Sequence, residues 1–334
     1  MVKPNGFVRQ QRTLRTRMFR LVKLITAGLF GLAVALVAYI YIPRSLPPPP
    51  GSFMLIAHRG VSQTFPLESL ENDTCTAKII YPPTHSFLEN TLPSMRAAFD
   101  YGADMVELDI HPTTDNQLAV FHDWTIDCRT NGNGITHKQS MKLLKQLDIG
   151  YGYTADGGQT YPFRGRGTAM MPTLDEVLTT FPDQKFLIDQ KDRFDHTIEL
   201  LSDTLRQYPS HQLTNLYLFS GKEQYAQLKN DILDVQRLFS SRREVKDCIP
   251  DYLKMLISGQ LSDICSRYAF GVPIRYLNYV PGWPGLFLSK ARQANLQVYV
   301  LEVDTLDSLE KIQHLPLDGI VTNRIERIGP LIRR

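Results

Sequence analysis

The alternation of short apolar runs with amphipathic stretches limits the folds open to this chain of 334 residues more than any other feature. Eight runs have the length and punctuation of buried parallel strands. They cover residues 53–58, 105–111, 118–123, 185–190, 215–220, 235–240, 297–303 and 319–323. Strands that alternate with helices favour a parallel sheet, and eight such units favour a closed barrel. We therefore predict an α/β fold, a (β/α)8 TIM barrel, with a doubly wound open sheet as the alternative.

The segments between these runs have the pattern of amphipathic helices. The helical candidates are 91–101, 173–181, 196–207, 222–230, 244–257 and 284–294. The second of them begins with Thr173, and Glu176 follows three residues later, which is the signature of a capping box. The helix pattern therefore supports the strand–helix repeat.

The N-terminal region differs from the rest in charge and hydropathy. Residues 1–23 carry seven basic groups and no acid, and the remainder has 30 basic against 34 acidic residues. The remainder offers no basic stripe for nucleic acid. Residues 24–42 are uncharged and nearly all apolar, and 19 helical residues span about 28 Å, close to the thickness of a bilayer core.

We predict that 24–42 is an uncleaved transmembrane anchor, with a cleaved signal peptide as the alternative. The basic tail 1–23 then stays in the cytoplasm. The remainder lies in the periplasm, outside the cell or in a lumen. Residues 43–52 are rich in proline and form a semi-rigid linker. A single domain follows at 53–330, with insertions at 62–88 and 124–171 after predicted strand ends, where barrel enzymes build their sites.

Four cysteines follow the anchor segment, at positions 75, 128, 248 and 265. In an oxidising compartment they can form two disulfides, with Cys248 and Cys265 the simpler pair. Four unpaired thiols are the alternative, because pairing cannot be deduced from sequence. None has the spacing of a structural zinc site.

Three of the predicted strands end in residues that carry chemistry. The first ends at His58-Arg59-Gly60, the second holds Glu107 and Asp109, and the third ends at His122-Asp123. The ends of neighbouring parallel strands meet at one rim, so we expect these side chains to lie together. Two carboxylates at i and i+2 point to the same side of a strand and need a cation between them when buried.

Further motifs follow in a fixed order along the chain. They are Glu89-Asn90-Thr91, Thr130-Asn131-Gly132 with Gly134, Leu147-Asp148 with Gly150, the run Met171 to Val177, and Asp318 to Thr322. With the three strand ends, this ordered set resembles the glycerophosphodiester phosphodiesterase family over roughly residues 53–330. Each motif alone is weak, and the set together is specific.

The resemblance implies a divalent metal, Mg²⁺ or Ca²⁺, held by Glu107, Asp109 and a third carboxylate after the fourth strand. The family has Glu two residues before a Lys there, and this chain has Asp189 and Lys191. Aspartate shortens the reach by one methylene group.

The resemblance also assigns the residues that act on phosphate. His58 and His122 are the expected general acid and base, because the pKa of histidine lies near neutrality. Arg59 and Lys191 are expected to bind the phosphate. For Glu89, contact with metal or substrate and a structural role at the helix start remain equally open. The other histidines at 85, 137, 196, 211 and 314 are expected at the surface.

The activity that the resemblance implies is metal-dependent hydrolysis of glycerophosphodiesters to sn-glycerol 3-phosphate and an alcohol. The glycerol 2-hydroxyl would attack phosphorus, and a cyclic phosphate would then be hydrolysed. Leu301-Glu302 stand where the family often has an aromatic residue, which bears on the choice of substrate. Alternatives are therefore a lysophospholipase D-like or other phospholipid phosphodiesterase, and a non-catalytic barrel that binds phosphodiesters.

Overall fold

The computed structural model describes residues 6–67, 70–71, 74–192 and 195–332, so the first five residues of the basic tail lie outside it. Within this range the strands are β1 (Met54–His58), β2 (Met105–Pro112), β3 (Leu118–Val120), β4 (Lys185–Gln190), β5 (Leu216–Phe219), β6 (Gln236–Phe239), β7 (Phe270–Pro273), β8 (Val298–Leu301) and β9 (Gly319–Thr322). The helices are α1 (Gly6–Tyr41), α2 (Leu92–Asp100), α3 (Met141–Leu144), α4 (Leu174–Thr180), α5 (Asp195–Leu205), α6 (Ser210–Leu213), α7 (Lys222–Lys229), α8 (Arg242–Asp247), α9 (Ile249–Ser258), α10 (Gly285–Gln293), α11 (Leu306–Ile312) and α12 (Ile325–Ile328).

Eight of the strands form a nearly closed parallel barrel. Hydrogen-bonded ladders join them in the order β6-β5-β4-β2-β1-β9-β8-β7. The two ends of this sheet meet where the backbone N–H of Ala269 donates to the carbonyl oxygen of Leu238 at 2.7 Å. The predicted TIM barrel is therefore confirmed, and the open doubly wound sheet is excluded.

The third predicted strand does not belong to the barrel, and this part of the prediction was wrong. β3 pairs antiparallel with β2, with Val120 opposite Ile110. The eighth parallel strand is instead β7, which the sequence pattern missed. Gly271 and Pro273 lie in that strand of four residues, and both residue types are normally depleted in strands.

Strand alternation places the carboxylates of β2 inside the barrel. Val106, Leu108 and Ile110 pack in the large core between the sheet and the helices. Successive side chains of a strand point to opposite faces, so Glu107 and Asp109 turn toward the barrel interior. Both are buried, at 4% and 0% exposed.

The two insertions share a hydrophobic core of their own beside the barrel. Its members include Ala77, Ile80 and Leu88 from the first insertion and Ile126, Leu147, Tyr153 and Phe163 from the second. A disulfide between Cys75 and Cys128 joins the two insertions, and a second links Cys248 to Cys265. Of the two alternatives that the sequence left open, the structure shows the paired one, and Cys248–Cys265 is the pair that proximity favoured.

The N-terminal helix α1 contains one candidate membrane span. Its segment Arg17–Tyr41 has 25 residues, and none of its most apolar window is buried in the protein. By length and composition this helix can cross a bilayer, and it begins seven residues before the predicted segment.

Candidate active site

Strand register brings three carboxylates to the C-terminal rim of the barrel. Asp109 of β2 lies opposite Asp189 of β4, and Glu107 lies opposite His58 of β1. One oxygen from each of Glu107, Asp109 and Asp189 lies within 4.8 Å of the others. That spacing is about twice a metal–oxygen bond of roughly 2.0–2.6 Å, so a divalent cation fits between them.

The electrostatics of the cluster also suit a cation. Burial and the neighbouring carboxylate of Asp109 raise the pKa of Glu107 well above its usual value. Burial also opposes ionisation of Asp109, but Lys191 and Arg59 together hold its pKa well below the usual range. The Nζ atom of Lys191 lies 2.9 Å from an oxygen of Asp109 and 2.9 Å from an oxygen of Asp189. Among the described residues, Glu107 has no lysine at such a distance. Its negative charge is therefore not offset in the same way.

Arg59 is fixed in the site by its backbone and its side chain. Its φ of +60° is a left-handed value, which is rare for a side chain of this size. In that conformation its N–H donates to the carbonyl oxygen of Glu107 at 3.0 Å. Its Nη1 donates to Glu89 at 2.9 Å, and its Nε lies 3.3 Å from Asp109. The guanidinium is thus oriented before any substrate arrives.

The segment Glu89-Asn90-Thr91 holds the charged side chains of the site in place through hydrogen bonds. Asn90, also at positive φ, donates from Nδ2 to Asp109 at 2.8 Å. Thr91 caps α2 in a capping box with Ser94. Glu89 is 6% exposed and binds Arg59, so the structure gives it a supporting position beside that guanidinium.

His58 is oriented by a relay of hydrogen bonds from β9 and the end of β8. Asn323 donates from Nδ2 to Asp304 at 2.8 Å, which leaves its Oδ1 as an acceptor. Nδ1 of His58 lies 2.6 Å from that oxygen and therefore carries the proton. Nε2 of His58 is then a free acceptor, 3.7 Å from Glu107, at the carboxylate cluster.

His122 has a similar relay from the second insertion. Its Nδ1 lies 2.7 Å from one oxygen of Asp123, whose other oxygen accepts from Nε of Arg129 at 2.8 Å. Asp123 remains ionised, because Arg129 and His122 lower its pKa against the cost of burial. Nδ1 of His122 is thus the donor, and Nε2 is left to accept a proton.

Both rings are neutral near pH 7. Burial and the nearby Arg59 guanidinium lower the pKa of His58 to about 3. The same two causes lower the pKa of His122. A neutral imidazole with Nδ1 held by an acceptor can take a proton at Nε2, as a general base must.

The residue that sequence reasoning missed is Arg129. It is 2% exposed and donates to Glu89 at 3.0 Å and to Thr76 at 2.8 Å, in addition to Asp123. It also bonds the hydroxyl of Tyr153. One buried arginine therefore ties both insertions to the two acids that orient Arg59 and His122. Arg129 directly precedes the motif Thr130-Asn131-Gly132, but nothing in that motif indicates its buried role.

All the predicted site residues meet in one place, but two of the histidines expected at the surface are partly buried. Nδ1 of His137 lies 3.0 Å from the buried Asp192, which also binds His111. His85 lies 3.1 Å from Gln63. The other three histidines of this set are exposed, at positions 196, 211 and 314.

We predict that Asp123→Asn lowers turnover by about 10²-fold, because the amide can present a donor to Nδ1 of His122 and favour the wrong tautomer. Steady-state kinetics should show the loss in kcat, with KM little changed. Asp127→Asn is the matched control, since Asp127 lies in the same insertion but is exposed and bonds only the backbone of Gly134 among the hydrogen bonds described. Equal kinetics for the two variants would contradict the relay.

Comparisons with known proteins point to one class of enzyme. The glycerophosphoryl diester phosphodiesterase family profile matches residues 58–208. A glycerophosphodiester phosphodiesterase of Caldanaerobacter subterraneus subsp. tengcongensis is 26% identical over 84% of this chain and 98% of its own length. The lysophospholipase D GDPD1 of Mus musculus is 29% identical over 47% of this chain and 48% of its own length.

A solved structure shows the same fold. It is the glycerophosphoryl diester phosphodiesterase domain of an uncharacterized protein of Mycobacterium tuberculosis, with a TM-score of 0.61 and 16% identity over 84% of this chain and 99% of that one. Fold, site and relatives together define a phosphoric diester hydrolase built on a TIM barrel. Within that class, the profile of the glycerophosphoryl diester phosphodiesterase family matches residues 58–208, and relatives named glycerophosphodiester phosphodiesterase align with the chain.

Proposed function

We propose that this protein is a metal-dependent glycerophosphodiester phosphodiesterase that releases sn-glycerol 3-phosphate and an alcohol. The observation that carries the proposal is the pairing of two neutral, oriented histidines with a three-carboxylate cluster and a fixed arginine on one rim. The named activity of the Caldanaerobacter relative, aligned over nearly its whole length, supports the same substrate class.

Glu107, Asp109 and Asp189 would hold the metal, for which we propose Mg²⁺ or Ca²⁺, since all three supply oxygen ligands. When bound, the cation would supply Lewis-acid stabilisation of negative charge on the phosphoryl oxygens. Arg59 and Lys191 add fixed positive charge at the same rim and would bind the non-bridging oxygens of the phosphate.

The histidines would move the two protons of the reaction. One of His58 and His122 takes the proton of the glycerol 2-hydroxyl at Nε2 as that oxygen attacks phosphorus. The other would first take a proton from solvent and then give it to the oxygen of the departing alcohol. Water would next attack the phosphorus of the cyclic phosphate, with the two histidines in exchanged roles. Their neutral state and outward Nε2 atoms suit the base role, and their relays to Asn323 and Asp123 keep each ring in place.

A lysophospholipid is the second candidate substrate, and one cavity favours it. A space of about 200 Å³ adjoins His58 and is lined in part by Phe65, Leu67 and Tyr81 of the first insertion. These side chains offer an apolar wall of the kind that an acyl chain needs. The mouse relative named lysophospholipase D points the same way.

The decisive experiment is a substrate panel measured on the full chain with and without chelator. We expect release of sn-glycerol 3-phosphate from glycerophosphocholine, loss of turnover in EDTA, and recovery with Mg²⁺ or Ca²⁺. Faster cleavage of lysophosphatidylcholine would favour the second candidate. Turnover that persists in EDTA would contradict the metal proposal, and cleavage of no phosphodiester would favour a binding barrel.

We further propose how the chain is arranged at a membrane. Residues 24–42 would form the anchor, with the tail 1–23 in the cytoplasm and the linker 43–52 leading to the catalytic domain 53–330. The insertions 62–88 and 124–171 belong to that domain. The apolar helix segment Arg17–Tyr41 and the two disulfides support this arrangement, since disulfides persist in oxidising compartments.

A further inference from the structure

Helix α9 presents a row of large apolar side chains to solvent. Ile249, Leu253 and Ile257 are 50%, 48% and 61% exposed. They are spaced at i, i+4 and i+8, so they fall within an arc of about 80° on a helix that turns 100° per residue. A contiguous exposed row of this kind marks an interaction surface more often than scattered single residues do.

Apart from Pro250, the other exposed residues of α9 are polar. Lys254 lies roughly 140° round from Ile249, and Ser258 lies further on, about 180° from Ile249. Lys254 pairs with Asp251 at 3.4 Å. The outward side of α9 is thus divided lengthwise into an apolar half and a charged half, as in helices that lie in a membrane interface.

The apolar half is the one beside the end of α1. The hydroxyl of Tyr39 donates to the carbonyl oxygen of Leu256 at 3.1 Å, and Leu256 lies about 20° from Ile249 on the helix. Tyr39 and Ile40 pack against the main core, and the guanidinium of Arg44 lies 4.5 Å from the centre of the Tyr39 ring. The apolar row therefore begins where the candidate membrane span ends.

A disulfide bond restrains the backbone next to the apolar row of α9. The disulfide Cys248–Cys265 joins the residue before α9 to the loop that follows the helix. Ile264, next to Cys265, is 57% exposed and extends the apolar surface beyond the helix. The disulfide thus fixes the N-terminal end of the helix, and its buried residues Tyr252, Met255 and Leu256 pack in the main core.

We infer that the apolar half of α9, formed by Ile249, Leu253 and Ile257, rests in the lipid interface beside the anchor. This inference depends on the proposal that α1 crosses a bilayer. The occupant is lipid because the row is continuous with a helix segment whose apolar surface is itself unburied. With one contact at Tyr39 and a second along α9, the domain is held in a fixed orientation at the membrane surface.

The test places one tryptophan on each half of α9 in the full chain. Leu253→Trp and Lys254→Trp are separately reconstituted into phosphatidylcholine vesicles whose acyl chains carry bromine, which quenches nearby indole fluorescence. After subtraction of the parent protein, we expect at least about threefold stronger quenching for Leu253→Trp, because interfacial helices bury their apolar face roughly 5–10 Å deep. Both positions are exposed, so either substitution should leave the fold intact.

Equal quenching at the two positions, or none at position 253, would overturn the inference. If a second copy of the chain covers the row, position 253 would be unquenched and chemical cross-linking of the parent would give dimers. Alkaline carbonate extraction separates this failure from failure of the anchor. A chain that carbonate removes from vesicles contradicts the anchor, whereas a retained chain with an unquenched indole overturns only the placement of α9.

Discussion

Replacing Glu107 by glutamine is expected to lower turnover by three orders of magnitude or more while leaving the protein at least as stable. The substitution removes one of three proposed metal ligands, and a loss of about 4 kcal/mol of charge stabilisation corresponds to a factor of about 10³ in rate. Stability without metal should not fall, because the pKa of Glu107 is raised by burial and by Asp109, and glutamine relieves that repulsion. Steady-state kinetics, calorimetric titration with Mg²⁺ and Ca²⁺, and thermal unfolding measure the three effects.

Glu302→Gln provides the control at the same rim. The carboxylate of Glu302 forms a salt bridge with Arg275 at 3.2 Å. Glu302 is not part of the three-carboxylate cluster. We expect this variant to bind the metal as the parent does. If Glu107→Gln keeps full activity and metal affinity, the cluster does not hold the catalytic cation.

Alanine at His58 or at His122 is expected to lower turnover of glycerophosphocholine by about 10²- to 10⁴-fold, the usual range for loss of a general acid or base. A substrate with a nitrophenolate leaving group distinguishes the general acid from the general base. Such a leaving group departs without a proton, so the variant that lacks the general acid should recover much of its rate with it. The variant that lacks the general base should remain slow with both substrates.

His196→Ala is the matched control, because His196 is exposed on α5 and is not a member of the carboxylate cluster. Its kinetics should equal those of the parent. Full activity in either His58→Ala or His122→Ala would remove that ring from the mechanism, and equal recovery of both variants on the nitrophenyl substrate would contradict separate acid and base roles.

The sequence predicted the barrel because its strands are buried on both faces and read as apolar runs. It wrongly assigned residues 118–123 to the barrel for the same reason, because a buried strand that pairs only with β2 has the same apolar pattern as a barrel strand. The error did not displace His122. β3 runs back along β2, and Phe121 donates to the carbonyl oxygen of Asp109, so His122 returns to the rim that the parallel arrangement had predicted.

The carboxylates and histidines could be predicted because each lies at the end of a local pattern. Arg129 could not, because its role arises from contacts with Thr76 and Glu89, which are distant in sequence. The tautomer of His58 could not be predicted either, because it depends on a hydrogen bond with Asn323 near the other end of the chain. Tertiary relays of this kind leave no periodic signal in a single sequence.

The bond between Cys75 and Cys128 closes a loop with a sequence separation of 53 residues, and four of the eight predicted site residues lie within it. Glu89, Glu107, Asp109 and His122 are all inside that ring. A protease that cuts the backbone once within the ring leaves two fragments that remain one covalent molecule until the bridge is reduced. Nicked protein should therefore migrate as an intact chain on a non-reducing gel and separate into two bands only after a thiol is added.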